Sequence, residues 1–258
     1  MCDHADNFRM EITVTPKPSD PFIMESTLAM KKQSLAVIDL LKPMQEKDRI
    51  KLEQRCVWRN IRHNEVILDR QSESSEIYFV VSGRVRVVNY SMSGREITFD
   101  DMGRGQYFGQ LAALDNQPRS ANVIAVEDSL LASLGGTSFK ELLLNYPEIS
   151  LNLLTEMAQI IRTSTDRIMD LSTLGANNRV LAELLRLAHP CASNENSAII
   201  KPVPVHSDVA SRVSTTRETV ARVFSDLSKR QLIQRNGDTL VIHDIVHLQE
   251  MVEDFRGI

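Results

Sequence analysis

The spacing of apolar and polar positions changes three times along the chain. Between Val57 and Leu134, apolar residues come in short runs broken by glycine. Val66–Leu68, Ile77–Val81, Arg84–Val88, Ile97–Phe99, Ala121–Ile124 and Leu130–Ser133 read as strands, with hairpin turns at Ser82-Gly83 and Ser93-Gly94. Short strands at this spacing predict a sandwich or barrel. After Pro147 the chain runs to Leu174 without Gly or Pro, and Leu154, Met157, Ile161, Ser164, Ile168 and Leu171 recur at alternating intervals of three and four. That is a coiled-coil seam of roughly three heptads or less, which predicts a parallel helix pair and a twofold dimer. The other reading is a helix face packed on the barrel. Gly175, Ala176 and Asn177 then form a hinge before a helix over 178–189, with Asn177 as its cap.

The third texture lies between Pro204 and Asp244. Val209, Ala210 and Val213 share one face of a short helix, Ser214 and Thr215 supply a turn, and Thr216 caps a second helix. Val220, Phe224 and Leu227 make the buried stripe of that second helix. Arg217, Glu218 and Arg222 fall away from that stripe near its N-terminal end, where a recognition helix meets base edges. Arg can pair with guanine O6 and N7, and Glu can accept from cytosine N4. Leu232-Ile233 and Thr239–Ile242, joined through Asn236-Gly237-Asp238, add a hairpin, so the order helix, helix, hairpin predicts a winged helix that reads DNA. Thr219, and Ser211 in the first helix, are the expected phosphate contacts.

Charge agrees with that reading. Lys201–His243 holds seven Lys/Arg against four Asp/Glu, a local +3 in a chain of net −4. With 258 residues, 42% of them hydrophobic, the chain can bury substantial cores and is expected to form two domains. No apolar run approaches the roughly 18 residues of a membrane span, and the acidic N-terminus lacks a signal-peptide core, so a cytoplasmic protein without membrane association is expected. Cys2, Cys56 and Cys191 are scattered, which predicts inert thiols in a reducing compartment. Residues 1–33, with Pro16, Pro18 and Pro21, read as a flexible tail.

Candidate ligand chemistry lies in the stretch from Gly103 to Val123. It offers flexible glycines, a short helical turn from Leu111 to Leu114, and Arg119-Ser120 beyond Pro118. Backbone N–H groups at a helix start, a cationic fork and a hydroxyl can together hold one phosphate. Over residues 35–245 the chain resembles the cAMP receptor protein/FNR family of bacterial transcription regulators. The motifs that carry the resemblance are Phe108-Gly109-Gln110-Leu111-Ala112…Pro118-Arg119-Ser120-Ala121 and Arg217-Glu218-Thr219-Val220-Ala221-Arg222, in that order. The resemblance implies an α+β chain with an N-terminal jelly-roll-like cyclic nucleotide-binding β-barrel (34–146), a dimerisation helix (147–174) and a C-terminal winged helix-turn-helix (175–258). By the same resemblance Arg119 and Ser120 grip a cyclic phosphate, Gln110 meets the ribose 2′-hydroxyl, and Ser164 and Thr165 face the base. The implied partners are double-stranded DNA carrying an inverted repeat, a second copy of the chain and RNA polymerase.

Gln110 is a departure, because nucleotide binders of this family usually carry Glu there. A neutral acceptor in place of a charge-assisted one weakens the bond by roughly 1 kcal/mol, about fivefold in affinity. Three outcomes stay open: cAMP as effector, a different ligand such as cGMP, or a vestigial barrel beside an effector-independent DNA reader. An iron–sulfur cluster needs several close thiolates and the N-terminus offers one; His63, His189 and His4 read as ordinary surface residues rather than haem ligands. No metal site and no covalent cofactor are expected. No catalytic triad order or phosphate-binding loop occurs, so an enzyme is not expected, and Asp100-Asp101 reads as a solvated acidic pair.

Overall fold

The computed structural model describes residues 33–92, 94, 96–191 and 196–256, so the expected tail, save its last residue, and Ser93 of the second hairpin turn lie outside the described residues. In chain order, α1 (Glu46–Glu53) precedes β1 (Val57–Ile61), β2 (Val66–Leu68), β3 (Ile77–Ser82), β4 (Arg84–Tyr90), β5 (Glu96–Gly103) and β6 (Tyr107–Phe108). A short helix α2 (Gln110–Asp115) leads to β7 (Asn122–Ala125), β8 (Ser129–Leu134) and α3 (Gly136–Asn145). The long helix α4 (Pro147–Thr173) is followed by α5 (Ala176–Ala188), β9 (Ala198–Ile200), α6 (His206–Arg212) and α7 (Arg217–Lys229). The chain closes with β10 (Ile233–Asn236), β11 (Thr239–Ile242) and α8 (Ile245–Arg256). Residues 35–258 cluster as one unit.

Two four-stranded antiparallel sheets, ordered β1-β8-β3-β6 and β2-β7-β4-β5, make the front half. Strand β3 shows why its run is apolar throughout. Tyr78 and Val80 point between the sheets, onto Ile61, Val85, Val123 and Leu131. Ile77, Phe79 and Val81 point the other way, into a core with Phe139 of α3 and Ile149 and Leu153 of α4. Both faces are covered, and each fully buried side chain of this size contributes about 1.5–3 kcal/mol. The β3–β4 hairpin turns at Ser82-Gly83 as expected. Gly83 has φ +88°, and a Cβ there would lie 2.2 Å from Ser129 Oγ, so no other residue fits.

Pro147 occupies the first turn of α4, where its missing N–H is harmless. The helix uses two faces. Ile149 and Leu153 are buried against the barrel with Met157 packed partly beside them, whereas Leu154, Ile161, Ile168 and Leu171 are exposed. The packed face and the seam are therefore different stripes, and Met157 belongs to the packed one. The helix after the hinge starts at Ala176, with Gly175 rather than Asn177 at its N-cap. Arg179 fixes this corner, donating to the backbone oxygens of Leu174 (2.8 Å), Val213 (2.8 Å) and Ser214 (3.1 Å).

The C-terminal core gathers Val180, Leu184, Val209, Val220, Phe224, Leu227 and Ile242. The expected hairpin forms between β10 and β11, but β9 pairs with β11 and makes the sheet three-stranded. Strand β9 is three residues long, too short for alternation to reveal it. No described helix is long and apolar enough to cross a membrane. Burial pushes the Cys56 thiol up to about 12, which keeps it unreactive near neutral pH.

Candidate functional site

The turn from β6 into α2 builds the first site. Phe108 is buried and stacks on Tyr78, centroids 5.1 Å apart with 6° between planes. Gly109 follows in the left-handed region at φ +86°, where a Cβ would meet Arg119 Nη1 at 2.7 Å and the Glu76 carbonyl at 2.8 Å. Glycine is thus required here twice, for its backbone angle and for the closeness of Arg119. Gln110 is half-buried at the start of α2, Leu111 is exposed and Ala112 is buried.

Arg119 does not project as a free fork. Its side chain is 2% exposed and lies behind Gly109. Nε donates to Ser74 Oγ (2.9 Å), Nη1 to the Gly109 carbonyl (3.0 Å), and Nη2 to both the carbonyl (2.8 Å) and the carboxylate (3.3 Å) of Glu76. The guanidinium also lies 5.9 Å from the Tyr78 ring centroid. Burial lowers its pKa, and the charge of Glu76 works against that. Arg119 therefore closes the cassette onto β3 and holds positive charge under the turn. Ser120 is exposed, and its carbonyl accepts from Asn89 Nδ2 at 3.3 Å. The structure brings Arg119 and Gly109 together and adds Ser74, Glu76 and Tyr78, which the sequence reading did not single out. A charged residue ahead of an apolar strand carries no sequence signal of what it faces.

The cassette is tied to α4 from its other side. Tyr107, one residue before Phe108, donates its hydroxyl to the Glu156 carboxylate. Ser164 and Thr165 do not reach the cassette within one chain. Both are exposed, and Thr165 Oγ1 donates to the Ile161 carbonyl of its own helix at 3.0 Å.

The second site is the outer face of α7. Thr216 caps it, accepting from the Thr219 N–H at 3.3 Å, and Ser214 takes φ 51° in the turn. Arg217, Glu218 and Arg222 are exposed, and Thr219 is half-buried beside the cap. Hydrogen bonding to its own N–H and to Thr216, with Arg217 nearby, holds Glu218 below the usual carboxylate range. His206 stacks edge-on against Phe224 at 4.8 Å, and burial lowers its pKa with help from the charges of Arg217 and Arg235. The charges of Arg217 at the start of α7 and of Arg235 on β10 thus both reach His206 at the start of α6.

Ser211 is elsewhere. Its hydroxyl lies 2.7 Å from Thr98 Oγ1 on β5, so it faces the barrel rather than outward. Arg212, counted in the basic excess, also turns inward. It donates to Asp101 (2.8 Å) and Glu183 (3.5 Å). Asp101 is no solvated residue: burial alone would raise its pKa, but Arg86 and Arg212 hold it below the ordinary carboxylate value. Asp100 beside it is exposed by residue area, yet burial of its carboxyl raises its pKa above the ordinary carboxylate value.

Both sites fall within stretches of the chain that match known domains. Residues 58–146 match the cyclic nucleotide-binding domain and residues 178–251 the Crp-like helix-turn-helix domain. The cyclic AMP receptor protein of Thermus thermophilus is 30% identical over 175 residues, which cover 68% of this chain and 78% of that protein. The chain belongs to the cAMP receptor protein/FNR family. A CRP-like cAMP-activated global transcriptional regulator of Mycobacterium tuberculosis is 27% identical over 169 residues, 65% of this chain and 75% of that protein. In fold, the chain is similar to a CooA mutant from Carboxydothermus hydrogenoformans. It matches with a TM-score of 0.72 at 20% identity, over 85% of this chain and 99% of that one. The protein is an effector-regulated DNA-binding transcription regulator with a cyclic nucleotide-binding domain.

Proposed function

We propose that this regulator binds a cyclic purine nucleotide, cAMP foremost, in the cassette around Arg119, and that two copies joined along α4 read an inverted repeat. The carrying observation is the buried Arg119 behind the left-handed Gly109, with a half-buried Gln110 at the helix start beside it. In this reading the phosphate takes N–H donors at the start of α2 and the positive charge of Arg119, with Ser120 at the rim. Gln110 accepts from the ribose hydroxyl, Phe108, Leu111 and Ala112 shape the floor, and Ser164 and Thr165 face the base once α4 is paired. The exposed stripe Leu154, Ile161, Ile168 and Leu171 supports that pairing.

Each copy would place α7 in a major groove, with half-sites about 34–36 Å apart. Arg217, Glu218 and Arg222 read bases, and Thr219 touches phosphate. Contact with RNA polymerase follows from the family. The path from ligand to DNA runs through Tyr107 and Glu156 into α4, and a coupling of about 1–3 kcal/mol is what such linkage supplies. One observation favours a second reading, an effector-independent regulator: the Glu76 carboxylate already lies on the guanidinium that a phosphate would use.

The DNA assignment is tested by selecting sites from a random duplex pool and measuring Arg222→Ala on the winner. The variant should lose about 1–3 kcal/mol on the selected site and relax preference at one base. Equal loss on random duplex would instead make Arg222 a phosphate contact.

A further inference from the structure

Three modules meet at one ionic junction. Arg86 of β4 reaches Asp101 of β5 through Nε (2.7 Å) and Asp208 of α6 through Nη2 (2.5 Å). Arg212 of α6 joins Asp101 to Glu183 of α5, and the Thr98 and Ser211 hydroxyls touch beside them. Arg167 of α4 lies 3.8 Å from Glu183 and donates to the Phe99 carbonyl of β5 at 2.7 Å. Glu183 is 1% exposed, yet its Oε2 accepts no hydrogen bond among the described residues and has only a 3.5 Å ion pair with Arg186 Nε.

A buried ion-pair network of this kind adds little net stability, because desolvation offsets the Coulomb gain. What it fixes is direction, since each pair forms only in one orientation. Its incomplete satisfaction also makes it exchangeable. The first helix of a helix-turn-helix crosses the DNA backbone. Here Asp208, Ser211 and Arg212 of that helix are all turned to the barrel, and the carboxylate of Asp101 stands beside them. Phosphates approaching α6 meet no donor from these side chains and a nearby negative charge.

Resting on the DNA-reading function proposed above, we infer that the Arg86–Asp101–Arg212–Glu183 junction is an autoinhibitory latch. It docks the reader on the barrel and withholds α6 from the DNA backbone. Undocking frees Ser211 and Arg212 for phosphates, which restores to Ser211 the role its sequence position suggested.

The test locks the latch. In the full chain with Cys2, Cys56 and Cys191 replaced by Ser, Thr98→Cys/Ser211→Cys places two thiols where the hydroxyls now lie 2.7 Å apart, close enough for a disulfide after small adjustment. Binding to a fluorescent duplex of random sequence, about four helical turns long, is measured for the oxidised and reduced forms across a salt series. The oxidised form should cross-link readily, bind about tenfold more weakly and show a salt slope shallower by about one or two, the signature of lost phosphate contacts. Reduction should restore both. As a second variant, Arg86→Gln removes a positive charge yet should tighten binding to the same duplex about threefold by releasing α6. Equal binding by oxidised and reduced forms, failure to cross-link, or unchanged or weaker binding by Arg86→Gln overturns the latch. Absence of binding by the reduced chain would overturn the DNA-reading function itself.

Discussion

Replacing Glu76 by Gln isolates the electrostatics of the proposed ligand seat. Arg119 Nη2 donates to the Glu76 carbonyl and carboxylate, the guanidinium being 2% exposed and the carboxylate 43%. A cyclic phosphate that takes the second Nη1 N–H, the one N–H of this guanidinium without a partner among the described residues, would stand about 5 Å from that carboxylate, given ordinary charge-assisted contacts on either side. Two unit charges at that distance repel by about 0.8–1.7 kcal/mol when the effective dielectric is about 40–80, a range suited to a carboxylate half in water. Glu76→Gln should therefore bind cAMP about four- to seventeenfold more tightly. The amide oxygen can still accept from Nη2 and the backbone contact is untouched, so thermal stability should change little. Calorimetric titration with cAMP and cGMP reads the effect, and at about 0.5 M salt the gain should shrink through screening. Unchanged or weaker binding by a variant with intact melting would refute the placement of phosphate beside Arg119.

Arg119→Leu should damage more than the ligand response. It strips partners from Ser74, from the Gly109 carbonyl and from Glu76, and should cost about 3 kcal/mol in urea unfolding; an unchanged midpoint would deny its structural role. Tyr107→Phe removes one charge-assisted bond to an exposed carboxylate, so a loss of about 1 kcal/mol, or about 2–4 °C in melting temperature, is expected, along with weaker coupling between nucleotide and DNA. Burial of His206, with Arg217 and Arg235 nearby, depresses its pKa in the folded chain, so this contribution to stability is complete above about pH 6.5 and is lost as the pH falls through the lower folded value. Melting followed from about pH 7.5 to about pH 5 should show that loss, and His206→Phe should flatten it; an identical profile would contradict the assignment.

How far the chain can be read from its sequence depends on whether the signal is local. The apolar run Ile77–Val81, the cap and stripe of Thr216–Leu227 and the exposed apolar stripe of α4 are set by neighbours in sequence, and each has its counterpart in the fold, though Met157 leaves that stripe for the packed face. Helix α3 and strand β9 escape such a reading because the first carries few boundary signals and the second is only three residues long. Long-range polar contacts leave no trace at all. Glu76 and Arg119 are 43 positions apart, Arg86 and Asp208 are 122 apart, and no local pattern links them. Ser211 reads as DNA-facing because it lies on the right helix, and Arg212 counts toward the local basic excess. The structure shows that the same positions can serve a neighbouring module instead.

The central claim is that one ligand and one DNA site share a free energy through this chain. Calorimetric titration of cAMP and cGMP into the protein, alone and saturated with its selected inverted-repeat duplex, measures that sharing directly. A nucleotide that binds the seat should bind more tightly in the presence of DNA, by the same factor, about 5–150-fold, by which it tightens the DNA complex. Nucleotide affinity that DNA leaves unchanged, or no nucleotide binding beside intact DNA recognition, would contradict the account.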